Sequence, residues 1–264
     1  MILLSSLAMA ASWPGDDDFV LPALSAELYR PAVDGLGLTV ERADGEGGAV
    51  ADLVWAHRPL VFRRDSGEVV ELVGDLVGAH VGAAGLAGPV RVEGQLPVYL
   101  LASGDLGSGA AVGDAALGLS VPLAAGPVAL APLARVGVPL GGDIWALGAG
   151  AWAGDLGFRA SWRGPLELGL DTGLTLVPGE DAANVAVGHN AWLRAGLAYG
   201  RDAWRASLET SLKTPLDAFF VADGNTPVEV LLGGGWKSLR AGLGAGVLPG
   251  VGSPSWRLVL GAQL

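Results

Sequence analysis

The chain contains no cysteine. That absence excludes a disulfide framework, a cysteine-ligated zinc or iron–sulfur site, and thiol chemistry. Charge is sparse as well, at 16% of residues, where globular chains average about 25%. Basic residues are the scarcer sign, with 16 Lys and Arg against 27 Asp and Glu, a net charge of −11. There is no basic run, and a nucleic-acid surface needs clustered Lys and Arg, so no nucleic-acid partner is expected. Long apolar runs are lacking too. A membrane-spanning helix needs about 20 consecutive apolar residues, yet the longest apolar stretch, Val112–Leu140, is broken by Asp114, Ser120, Pro122, Pro127, Pro132 and Arg135.

What is present points to a membrane by another route. Hydrophobic residues make up 51% of the chain, mean hydropathy is +0.46, and there are 43 glycines. Glycine and proline are spread along the whole length, which disfavours long helices. A closed β-barrel is the remaining structure that satisfies every backbone group within a bilayer. The first residues, Met1 to Ala11, are apolar and end in Ala8-Met9-Ala10, which fits the tail of a signal peptide. Residues 1–11 are therefore read as a signal-peptide remnant, 12–48 as a periplasmic N-terminal segment or plug, and 49–264 as the barrel in the bacterial outer membrane.

Period-two alternation carries the barrel assignment. In Leu166–Leu176 the even positions are Leu or Thr, and Glu167, Gly169, Asp171, Gly173 and Thr175 lie between them. Trp204–Leu212 sets Trp204, Ala206, Leu208, Thr210 and Leu212 against Arg205, Ser207, Glu209 and Ser211. Val90–Leu100, Leu239–Val247 and Trp256–Leu264 alternate in the same way. Asp52–Phe62, Val69–Gly82, Asp114–Leu123, Val128–Pro139, Trp145–Trp162, His189–Tyr199 and Val228–Trp236 complete the set. With Trp145–Trp162 taken as one strand, bulged near Gly154-Asp155, the series is an all-β, antiparallel up-and-down barrel of about 12 strands. Splitting it gives 14. With that strand merged, short and long links alternate, as inner turns and outer loops do; Ser103–Gly113 is one of the long links, and Gly141–Asp143 is intermediate. Both ends of the barrel fall on the short-turn side.

Projected inward, the alternation lines the lumen with Asp52, Arg58, Glu71, Asp75, Arg91, Glu93, Asp114, Arg135, Glu167, Asp171, Arg194, Arg205, Glu209, Glu229, Arg240 and Arg257. Arg159, Arg163, Lys213 and Lys237 belong to the same rows. The two signs nearly balance there, so the acidic surplus is expected in the loops and the N-terminal segment. Such rows either pair and fill the bore or line a narrow aqueous pore. Trp55, Trp145, Trp162, Trp204, Trp236 and Trp256, with Trp192, sit near strand ends, as an interfacial aromatic girdle does.

Leu28-Tyr29-Arg30-Pro31-Ala32-Val33-Asp34-Gly35, Trp55-Ala56-His57-Arg58-Pro59-Leu60-Val61 and Gln95-Leu96-Pro97-Val98-Tyr99-Leu100-Leu101-Ala102-Ser103-Gly104-Asp105 stand in that order. The set resembles the N-terminal barrel of OmpA-family outer-membrane proteins of myxobacterial and deltaproteobacterial type. Gly252-Ser253-Pro254-Ser255-Trp256-Arg257-Leu258-Val259-Leu260-Gly261 resembles the closing strand of that barrel. The resemblance covers nearly the whole chain after residue 11. It implies a structural envelope protein or a narrow passive channel, with outer-membrane lipid and the barrel-assembly machinery as partners. Many relatives continue into acidic repeats and a peptidoglycan-binding domain, so this chain is either a barrel-only member or a fragment. Peptidoglycan is a partner only if such a domain exists. A transporter for a small or hydrophobic solute, with 19–43 as its plug, is the alternative. A lipid-modifying enzyme using His189 is the remote one. The three histidines, His57, His80 and His189, show no metal-ligand spacing. Gly233–Gly235 and Gly242–Gly246 lie inside strands rather than before a helix, unlike phosphate-binding loops. No catalytic activity, metal or cofactor is expected.

Overall fold

The computed structural model describes residues 29–33, 35–63, 69–104, 107–140, 152–177, 180–182, 185–201, 203–216, 226–248 and 253–264. Among them there is no helix. The strands are β1 (Gly48–Arg63), β2 (Val69–Ala87), β3 (Val90–Gly104), β4 (Gly107–Val112), β5 (Ala115–Ser120), β6 (Leu123–Ala125), β7 (Val128–Val138), β8 (Ala153–Trp162), β9 (Glu167–Leu176), β10 (Glu180–Ala182), β11 (Val185–Val187), β12 (Asn190–Arg201), β13 (Trp204–Pro215), β14 (Val228–Trp236), β15 (Leu239–Leu248) and β16 (Trp256–Gln263).

Each strand pairs antiparallel with its neighbours, and β1 closes on β16 from Val50↔Gln263 to His57↔Trp256. The β1–β16 pairing closes the wall on itself, as a lipid environment demands. β4, β5 and β6 together occupy one place in the wall. β3 holds β5 through Arg91–Gln95 and β4 through Val98–Gly104, while β5 and β6 both pair β7. The wall is thus a 12-strand barrel, and β10–β11 is a separate small hairpin.

Several expectations change in detail. β8 begins at Ala153, and its register with β7 runs unbroken from Gly137↔Ala153 to Val128↔Trp162. The bulge foreseen near Gly154-Asp155 is therefore absent, and the Gly141–Asp143 link lies outside the described residues. Residues 141–151, with Trp145, lie outside the described residues. Ser103–Gly113 is not an irregular loop. Most of it continues the sheet as the β3–β4 hairpin, Gly104 opposite Gly107, because its small side chains place no bulk against ladder pairing.

The turns follow local chemistry. Ala87 pairs Val90 and Ala125 pairs Val128, so Gly88 (φ 64) and Gly126 (φ 62) open two-residue turns. A positive φ at the first central position is what a tight II′ hairpin requires, and the proline that follows each glycine suits the second. β1 and the chain end meet on this short-turn side, where Ala49 and Leu264 exchange backbone hydrogen bonds of 3.0 and 2.8 Å.

The two faces of the wall differ sharply. Along β7, Val128, Leu130, Pro132, Ala134 and Val136 are exposed, and Ala129, Ala131, Leu133 and Arg135 are buried. Leu117, Leu119, Leu156, Leu168, Leu208, Leu232, Leu243 and Leu260 continue the exposed apolar row around the barrel. Soluble monomers rarely expose apolar patches beyond a few hundred Å². This belt is the surface of a protein that meets lipid.

Candidate functional site: the barrel lumen and its occupant

The lumen is occupied by the chain that precedes β1. Residues 32, 33 and 35–41 form a compact loop held by Ala32 N–H to Leu38 O (2.8 Å), Leu36 N–H to Val40 O (2.9 Å) and a bridge between Gly35 and Glu41. Val33, Leu36, Leu38 and Val40 are at most 2% exposed. They fit because the wall beside them is glycine. A Cβ on Gly169 would lie 2.0 Å from Leu36 Cδ1, and one on Gly242 would lie 2.1 Å from Leu38 Cδ1. Both distances are far inside contact, so a side chain at either wall position would push the leucine aside.

Glu209 on β13 is the main grip. Its carboxylate accepts the backbone N–H groups of Leu38 (2.7 Å), Thr39 (2.6 Å) and Val40 (3.1 Å), together with the hydroxyls of Thr39 (2.7 Å) and Ser207 (2.9 Å). A buried carboxylate is costly unless its lone pairs are filled, and here the loop's own backbone fills them. Gly37 lets the carboxylate come close, since a Cβ there would stand 2.1 Å from Glu209 Oε1.

Other contacts reach walls on opposite sides of the bore. Tyr29 donates to Asp52 on β1, and Arg30 to Asp155 on β8 at 3.1 Å. Arg42 forks onto Glu167 of β9 at 2.7 and 3.0 Å. Gln95 of β3 and Gln263 of β16 donate to the carbonyls of Pro31 (2.8 Å) and Val33 (3.0 Å). Arg205 and Arg240 donate to Gly35 O (2.9 Å) and Ala32 O (2.8 Å). The segment therefore crosses the lumen and is tied to it all round. A recess of 560 Å³ remains at the short-turn mouth, between Gly35, Arg205, Lys237, Gln263 and Leu264.

The lumen charges pair with each other and with the plug. Glu93 accepts from Arg91 (2.9 Å), Arg135 (2.8 Å) and Arg159 (2.8 Å), and Arg91 also reaches Glu41 at 3.0 Å. Asp155 receives Arg135 (3.2 Å) and Thr175 (2.7 Å). Asp52 pairs with Arg240 (Nε, 2.7 Å), and Glu229 with Arg257 (2.6 and 3.1 Å), whose guanidinium lies 5.4 Å from the Tyr29 ring. Arg205 shares Glu167 with Arg42 at 3.1 Å. Asp171 takes Glu41 N–H at 3.3 Å and lies 3.9 Å from Arg159. Arg194 lies over Trp192 at 5.7 Å, and Asp114 is half-buried at the β4–β5 break.

Three charged positions foreseen in the lumen are elsewhere. Asp75 pairs in register with His57, on the outward row of Trp55, and accepts from Trp55 Nε1 at 3.0 Å with His57 Nδ1 at 3.1 Å. In β2 the lumen row is the even one, with Leu76, Gly78, His80 and Gly82. A charge at the barrel rim faces water and headgroups, so it is not a sign of an inward position. Arg58 and Glu71 pair with each other at 2.8 Å as half-exposed side chains, where the β1–β2 register shifts. Arg58 itself has φ 54.

Trp162, Trp204 and Trp236 are exposed on the outward face at strand ends, and Trp55 is exposed midway along β1. Trp256 packs edge-on against Trp55 with centroids 4.6 Å apart. Trp192 departs from the girdle. It pairs with Lys213 and Gly173 on the lumen row. Asp155 had escaped notice inwardly, although the alternation Asp155, Gly157, Arg159, Ser161 marks it. The plug's own Tyr29, Arg30, Glu41 and Arg42 carry no periodic signal that would have found them. His189 is exposed, just ahead of β12.

No family model and no curated protein matches the chain. Solved structures do. An outer membrane channel from Pseudomonas putida F1 superposes with a TM-score of 0.55 at 14% identity, over 81% of this chain and 93% of that one. Salmonella typhi OmpF, solved with daunomycin, gives a TM-score of 0.38 at 10% identity over 82% and 95%. The fold is that of a closed antiparallel barrel of twelve strands.

Proposed function

We propose that the protein is an outer-membrane barrel of OmpA-like type, a structural envelope protein or narrow passive channel whose bore is shut at rest by the segment that precedes β1. The observation that carries this reading is the grip of Glu209 on three consecutive backbone amides of the plug. An open bore would leave that carboxylate and the glycine-lined wall facing water, with no reason for either. The outward apolar belt and the tryptophans at its rims support insertion in a bilayer, with outer-membrane lipid and the barrel-assembly machinery as partners. The OmpA-family assignment rests on the motifs at 28–35, 55–61, 95–105 and 252–261; peptidoglycan would engage only a domain outside these residues. No catalytic role is proposed for His189. The solute-transporter alternative shares the plug but adds a ligand that displaces it.

In planar bilayers the purified protein is expected to be silent or to give rare, small steps. Steady openings as large as those of a 16-strand porin would contradict the closed resting state. Heat-modifiable migration after detergent extraction tests the barrel in membranes, and its absence would remove the basis for the reading.

A further inference from the structure

On the long-loop side of the plug, β12 and β13 present four lumen-facing side chains as a block. Trp192 lies directly opposite Lys213, and Arg194 directly opposite Ser211. All four can donate hydrogen bonds. Trp192 Nε1 and Ser211 Oγ are buried with no acceptor among the described residues. Arg194 and Lys213 are half-buried and make no ion pair there. Arg194 leans over the Trp192 ring at 5.7 Å rather than bonding its other cross-strand neighbour, Asp171.

Of the nearby carboxylates, Asp155 is engaged, while Asp171 Oδ1 is buried with no hydrogen-bond partner among the described residues. Asp155 holds Arg30, Arg135 and Thr175, and Asp171 holds Glu41 N–H beside Arg159. The charges acting on Arg194 and Lys213 come from Arg30, Arg135, Asp155 and Asp171. Neither Asp155 nor Asp171 accepts a hydrogen bond from Trp192, Arg194, Ser211 or Lys213. Donors clustered without acceptors in a low-dielectric setting cost free energy until an acceptor arrives.

We infer that Trp192, Arg194, Ser211 and Lys213 form an oxyanion-binding site, open to the long-loop mouth, that takes the carboxylate or phosphate group of a small solute. Guanidinium and ammonium supply the charge, while the indole N–H and the hydroxyl fix the orientation. Occupancy does not require the plug to move, because the plug's contacts on these two strands lie further towards the short turns, at Gly196, Arg205, Ser207 and Glu209. The site rests on the barrel reading for the direction of its mouth. Its binding is measured without conductance, so the two can fail separately.

The test is a tryptophan-fluorescence titration of the full chain in detergent micelles at constant chloride, using inorganic phosphate and, separately, acetate. Saturation by either one upholds the site, and the tighter of the two names the group it takes. Arg194→Gln and Lys213→Gln should each weaken apparent affinity by about tenfold or more, as losing a hydrogen bond to a charged group does. Arg201→Gln, at the short-turn end of β12, should leave it unchanged, and Trp192→Phe should abolish most of the fluorescence response. Heat-modifiable migration confirms that each variant is folded, and Ser211→Ala provides a mild third variant with the same expected direction. Absence of saturation with both anions, or equal weakening by Arg201→Gln, would overturn the site.

Discussion

Replacing Glu209 with alanine should release the plug. Three backbone amides and two hydroxyls of the lumen lose their common acceptor. Hydrogen bonds to a charged group are each worth about 1.5–3 kcal/mol, and stranded donors add their own cost. Water can reach the freed amides only if the loop leaves the wall. A loss of about 3 kcal/mol shifts the open-to-closed ratio by roughly two orders of magnitude. Single-channel recording should therefore show frequent, long openings where the parent protein is quiet. Glu209→Gln, which keeps an acceptor but loses the charge, should fall between the two. An unchanged record in Glu209→Ala would mean that the plug is held by its apolar contacts alone.

The second large effect is on stability. Glu93 is the common anion of Arg91, Arg135 and Arg159, all at most 8% exposed. Glu93→Ala leaves three guanidinium groups crowded together, with Glu41 beside Arg91, Asp155 beside Arg135 and only the more distant Asp171, at 3.9 Å, beside Arg159. Removing one partner of a buried ion pair typically costs about 3–5 kcal/mol, because the remaining charge stays buried and unpaired. The folded, heat-modifiable form should be lost at a clearly lower temperature than in the parent. Asp75→Ala removes a carboxylate from the outer rim, where screening makes such contacts weak, and should barely shift that temperature. Similar losses in the two variants would show that the lumen network is not what holds the wall together.

The wall was readable in the sequence because a barrel imposes a strict period of two. Lipid demands apolar side chains on one row, and the other row is free to be charged or small. β7, β9, β13 and β16 follow that rule closely, and their lumen residues were recognisable from it. The rule weakens at the rim. Asp75 shows that a charged side chain near a strand end can face outward, beside Trp55 and His57. Trp192 shows the converse, an aromatic near a strand end that faces the lumen.

The plug was the least legible part. Residues 29–47 have neither period, because a loop inside a lumen meets wall on every side. Its evidence lay in the wall instead. Gly169 and Gly242 make room for Leu36 and Leu38, and Glu209 faces the loop's amides rather than a basic side chain. From sequence alone, those glycines read only as removal of bulk. The near balance of lumen charge was visible, but which groups pair was not, since Arg91–Glu41 and Arg42–Glu167 join a wall strand to the plug.

The occupied lumen is the central claim, and a disulfide tests it most directly in a chain that has no cysteine of its own. A Cβ on Gly196 would lie 3.4 Å from Val40 Cβ, close to the reach of about 3.5–4.5 Å that a disulfide needs. The Val40→Cys/Gly196→Cys protein, oxidised after insertion in membranes, should form the cross-link nearly completely and stay electrically quiet. Failure to cross-link in the folded, heat-modifiable barrel would contradict a plug seated in the lumen.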